Sequence, residues 1–175
     1  MEKSRTFIAY HKDDESKKPM CFLETKNGVV ELCASWPEEV DKSELVEVNL
    51  EEAKGQTEIA GSKKWLVPGI YGNDHLLLLA ETEQEEETPV ILTSDDAASG
   101  RNAFSMGRPL NRCWIMNQSV LNELQQAGVL TLLQEQNRVF YVLYYCQVDM
   151  VELWKHTEQE TWDQFIVDIL NVYGW

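Results

Sequence analysis

The 175-residue chain is short of positive charge, with 15 Lys and Arg against 30 Asp and Glu and a formal net charge of −15. Phosphate binding draws its affinity from Lys and Arg, so this balance argues against direct contact with DNA or RNA. No apolar run approaches the ~18 residues of a membrane-spanning helix, the longest candidate being the mixed stretch from Val139 to Val148. A membrane partner is therefore not expected. The charged N-terminus runs straight into Tyr10-His11-Lys12-Asp13-Asp14-Glu15 and leaves no room for the apolar core of a secretory signal, so a cytoplasmic location is the expectation. There is no C-x-x-C pair: Cys21, Cys33, Cys113 and Cys146 lie singly in apolar or strand-like runs, the setting of buried thiols outside any disulfide. His11, His75 and His156 are far apart and belong to no H-x-x-x-H or H-E-x-x-H array, so neither a metal nor another cofactor is expected. No Gly-, Ser- or Pro-rich linker divides the chain, and no repeat with a period of about 20–50 residues is visible. One domain over residues 1–175 follows, β-rich over 1–93, with a loop over 94–112 and mixed helix and strand over 113–175.

What is present reads as an α+β fold: a largely antiparallel sheet with a C-terminal amphipathic helix and one shorter helix packed on it. Cys21 to Thr25 and Val29 to Cys33 flank Asn27-Gly28, which marks a tight hairpin. Glu44 to Leu50 alternates acid and apolar residues, as a strand with one wet face does. Lys64 to Ile70 and His75 to Ala80 are two further strands, and Leu76-Leu77-Leu78-Leu79, apolar on both faces, belongs in the middle of a sheet. Pro89 to Thr93 supplies another strand. Val120, Leu121, Leu124 and Ala127 have helical spacing, with Gly128 where a helix stops. Strands then follow over Val129–Leu133 and Arg138–Val148 around a turn at Gln134–Asn137. Thr157-x-x-Glu160 has the form of a capping box at the start of the last helix. Its stripe of Trp162, Phe165, Ile166, Ile169, Leu170 and Tyr173 must be covered, in cis or across an interface.

Two functional expectations of different class arise. Eight acids against Lys42 and Lys54 crowd residues 38–58. Such density can recruit a basic protein and speed its association. Trp36, Glu38, Glu39, Glu44, Glu47, Glu51 and Glu52 are then the binding residues, with Trp36 as anchor. An immunity protein or antitoxin that covers a nuclease is the sharpest form of this reading, and it requires no catalysis. The alternative is a small-ligand protein or enzyme that uses the 94–112 loop. There Ser99, Gly100, Arg101, Arg108 and Arg112 could hold an anionic group, although no phosphate-loop motif is present. Catalytic residues are not identifiable, since abundant carboxylates in polar runs are not an acid–base pair. The oligomeric state is left open.

Overall fold

In the computed structural model, which describes residues 6–32, 39–70, 76–81, 90–94 and 111–175, period-two alternation builds the first sheet. Along Thr6–His11 (β1), Met20–Thr25 (β2) and Gly28–Glu31 (β3), it sends Ile8, Cys21, Leu23 and Val30 to one face and Phe7, Ala9, Phe22 and Val29 to the other. Glu39–Val40 (β4) and Leu45–Val48 (β5) complete five antiparallel strands in the order β4-β3-β2-β1-β5. A single 3-10 turn, Lys42–Glu44, carries the chain from β4 to β5 across the Phe7 face. Lys42 Nζ lies 5.5 Å from the Phe7 ring centroid and pairs with Glu24 of β2. Beneath it Phe7 and Phe22 stack at 5.7 Å, forming a small core with Ala9, Val29, Met20, Val40 and Leu45.

The hairpin expected at Asn27-Gly28 is present, shifted by one residue. Its two-residue loop is Lys26-Asn27, and Gly28 pairs with Thr25 as the first residue of β3. Glycine still suits the position, because φ is +139°, a backbone conformation that other residues rarely adopt.

Among the described residues the strands divide among four antiparallel sheets rather than one. Thr57–Ile59 (β6) and Ser62–Lys64 (β7) form an unforeseen two-stranded hairpin, turned by Ala60 and Gly61 at positive φ of 52° and 83°. Leu66–Ile70 (β8), Leu76–Ala80 (β9) and Val90–Ile91 (β10) form the third, with β9 in the middle and Leu76 and Leu78 fully buried, as the leucine run implies. Arg112–Ile115 (β11), Leu130–Asn137 (β12) and Val142–Val148 (β13) form the fourth, in the order β11-β13-β12. The helices among the described residues are Gln118–Gln126 (α1), Met150–Lys155 (α2) and Gln159–Tyr173 (α3). With these antiparallel sheets and the C-terminal helix, the α+β class holds.

Helix α1 follows its sequence signals: Asn117 accepts from the Ser119 and Val120 amides, Val120, Leu121 and Leu124 are buried, and Gly128 follows at φ +78°. In α3, Trp162, Phe165, Ile166 and Ile169 are buried in the chain's own core, packed toward β8. The capping box is not formed. Glu158 is the N-cap and makes no side-chain cap bond, while fully buried Thr157 donates from Oγ1 to the Leu153 carbonyl at 2.7 Å. Thr157 closes α2, a helix the sequence reading missed. Asp149 starts α2 by accepting from the Val151 and Glu152 amides at 3.0 and 3.2 Å. Asp149→Ala is expected to cost about 1 kcal/mol, read as a lower urea midpoint with unchanged slope.

The β12–β13 hairpin turns later along the chain than its composition implies. Residues expected to form the turn, Gln134–Asn137, continue β12, and the chain reverses at Arg138–Tyr141, where the Arg138 amide donates to the Tyr141 carbonyl at 2.8 Å. One hydrophobic cluster joins side chains from Ile8 to Ile169 across these elements. Cys21, Cys113 and Cys146 are buried thiols, as expected, and Cys33 lies outside the described residues. Among the described residues, no helix is long and apolar enough to cross a membrane.

Candidate functional site

The acidic segment folds along an edge of the first sheet. Asp41 caps the 3-10 turn before β5 by accepting from the Ser43 amide and hydroxyl at 3.0 and 2.8 Å, and these bonds hold its carboxyl below the usual range. Glu44 ends that turn, Glu47 is the outward residue of β5, and Glu51 and Glu52 open a second 3-10 turn, Glu51–Ala53. All four are exposed. Glu47 and Glu51 line a cleft of about 500 Å³ between β1, β5 and α2, with Thr6–Ile8 on one wall and Trp154 on another.

The two lysines of the segment make their closest contacts away from these glutamates, although Lys54 stays within reach of the Glu51 charge. Lys42 is drawn to Glu24 and the Phe7 ring. Lys54 donates to the Trp154 and Thr157 carbonyls, both at 2.7 Å, and lies 4.1 Å from the Trp154 ring centroid. Burial pushes its pKa down to about 8, against the opposing pull of Asp163 and Glu51. The adjacent Gly55 amide donates to the Lys155 carbonyl at 2.9 Å, and the Gly55 carbonyl lies 2.8 Å from His156 Nδ1. The second 3-10 turn is thereby tied to the end of α2, which fixes the acids relative to the cleft.

The structure separates the predicted binding residues. Glu44, Glu47, Glu51 and Glu52 share one edge, whereas exposed Glu39 belongs to the opposite edge strand, beside Gly28. Trp36 and Glu38 lie outside the described residues. Of the alternative anion-binding set, Ser99, Gly100, Arg101 and Arg108 also lie outside them. Arg112 begins β11 rather than ending a loop, and its Nη1 donates to Asn111 Oδ1 at 2.9 Å. Trp175 is half-buried and stacks on Tyr173 at 4.8 Å. Trp154 and Lys54 were missed, because their partners lie about a hundred residues away and no local pattern records them.

Other groups do not extend the site. Burial and a hydrogen bond with Glu158 raise the Glu81 carboxyl, but neither residue lines the cleft. Among the described residues, no three His, Cys, Asp or Glu side chains are grouped to hold a metal ion. No protein-family model, curated protein or solved structure matches the chain.

Proposed function

We propose that this chain is a non-enzymatic interaction module that binds and inhibits a basic partner protein, in the manner of an immunity protein or antitoxin, and acts in the cytoplasm. The observation that carries the reading is the row of exposed glutamates, Glu44, Glu47, Glu51 and Glu52, along one sheet edge and cleft, with Lys42 and Lys54 engaged elsewhere. A basic surface meeting this row is attracted before contact, so the field acts mainly on the association rate. The cleft is lined by Glu47 and Glu51 and has the volume to take a guanidinium or ammonium group.

The test recovers the tagged chain from its native cells beside a variant carrying Glu44→Gln, Glu47→Gln, Glu51→Gln and Glu52→Gln. A basic protein held by the wild type and lost by the variant is the expected result. Its association rate should fall by roughly tenfold or more between low and physiological salt, as the Debye length shrinks to about 8 Å. An association rate indifferent to salt, or full retention by the variant, would retire the proposal.

A further inference from the structure

The β12–β13 hairpin differs from the rest of the surface. Its two-residue tip is Val139-Phe140, 90% and 94% exposed, where hairpin tips ordinarily carry Gly, Asn or Asp. Tyr141 and, on β12, Leu133 are exposed as well. Between Cys113 and Asp149 the charges are Glu123, Glu135 and Arg138, so the hairpin is close to neutral on a chain of net charge −15. β12 is an outer strand of its sheet, and no other strand among the described residues pairs with its far edge. Such edges are ordinarily protected by Lys or Pro, and β12 has neither. Its one irregularity, a register shift between Leu132 and Gln134, lies toward the root and leaves Gln134–Asn137 regular against Tyr145–Val142.

We infer that this edge pairs with the same edge of a second copy, β12 against β12 about a two-fold axis, giving a six-stranded sheet across the dimer. The inference uses a surface separate from the acidic edge. In an antiparallel pairing of this symmetry one residue faces its own copy, and opposite residues share a face of the sheet. Centring on Glu135 sets two carboxylates opposite each other. Centring on Asn137 sets Glu135 against Val139 of the second copy. Centring on Gln136 brings the two Gln136 side chains together, each already accepting from its own Arg138, and sets Glu135 against Asn137. Leu133, the extra residue of the register shift, and Val139, in the turn, lie beyond the regular pairing. Of the three, this register alone sets the Glu135 carboxylate against a neutral polar side chain.

The contact is confined to one strand edge, and two molecules of −15 repel, so association is weak. Screening that repulsion strengthens it, opposite to the salt dependence of a complex with a basic protein. Sedimentation of the full chain across a concentration series should show monomer converting to dimer, with the dissociation constant at least tenfold lower at 0.5 M than at about 0.02 M salt. Gln136→Lys sets two like charges on the axis and should weaken association at least tenfold, as should Phe140→Ser at the exposed tip. For register, Gln136→Cys should cross-link to itself under mild oxidation, and Asn137→Cys, which faces Glu135, should not; the wild-type chain controls for its own thiols. A monomer at every concentration and salt level overturns the inference, even if the tip then binds phosphatidylcholine vesicles or another protein. A dimer unaffected by both Gln136→Lys and Phe140→Ser also overturns it.

Discussion

Trp162→Ala is expected to remove about 3–5 kcal/mol of folding stability, a large share of the 5–15 kcal/mol typical of a native protein. Trp162 is fully buried and the largest such side chain described. It meets Phe165 edge to face at 5.5 Å, and its indole N–H donates to Thr6 Oγ1 at 2.9 Å, joining α3 to the first residue of β1. Alanine leaves a cavity that the surrounding strands and helices cannot fill, and it deprives the Thr6 hydroxyl of its donor. If this variant does not fold, two milder ones separate the contributions. Trp162→Phe keeps most of the apolar contact, and Thr6→Val leaves the buried indole N–H without its acceptor, at about 1–3 kcal/mol. The double variant should recover about 1 kcal/mol of that loss, the coupling of a single hydrogen bond. Urea titrations at constant slope measure all four. A loss below about 1 kcal/mol for Trp162→Ala would mean that α3 does not hold the sheet. Thr6 also lines the acidic cleft, so slower binding of a basic partner by Thr6→Val would connect this packing to the proposed site.

What the sequence revealed was what nearest neighbours decide. The stripe from Trp162 to Tyr173 and the Asn117 cap depend on residues within a few positions, and both were legible. So was the central place of β9, because four leucines in a row leave no face for water. The Asn27-Gly28 hairpin was legible as a hairpin but not in its register, which the pairing of Thr25 with Gly28 sets one residue earlier. The β12–β13 turn was misplaced because Val139 and Phe140 have no turn chemistry, while Gln134–Asn137 is polar enough to imitate a loop. Thr157 and Glu160 had the spacing of a capping box, but the start of α2 at Asp149 committed the Thr157 hydroxyl to Leu153. In the candidate site the exposure of the glutamates was legible from their polar alternation. The diversion of Lys42 to Glu24 and of Lys54 to Trp154 was not, since it depends on which distant elements the fold brings together.

The second large effect follows from Lys54 and appears on raising the pH. Its pKa is pushed down to about 8 from the ordinary 10.5 by burial, although two carbonyls and the Trp154 ring face its ammonium. Between those two values the unfolded chain binds more protons at Lys54 than the folded chain does, so this group makes stability rise with pH across about 8 to 10.5. Below about 8 the folded state carries a desolvated charge. Above 10.5 it carries a neutral amine, which still has two N–H donors for the Trp154 and Thr157 carbonyls. Lys54→Met removes both the titration and the hydrogen bonds. The stability difference between wild type and Lys54→Met should therefore widen in favour of the wild type from pH 7 to pH 10.5, by on the order of 1–2 kcal/mol. That figure is discounted because Lys54 is only half-buried and water screens its charge. Taking the difference removes the growing net negative charge of the chain, which lowers both curves together. Urea midpoints at half-unit pH steps measure it, and parallel curves would show that Lys54 titrates as an ordinary surface lysine. In that case the ammonium is not committed to the end of α2 and is available to neutralise Glu51, weakening the acidic edge on which the proposed function rests.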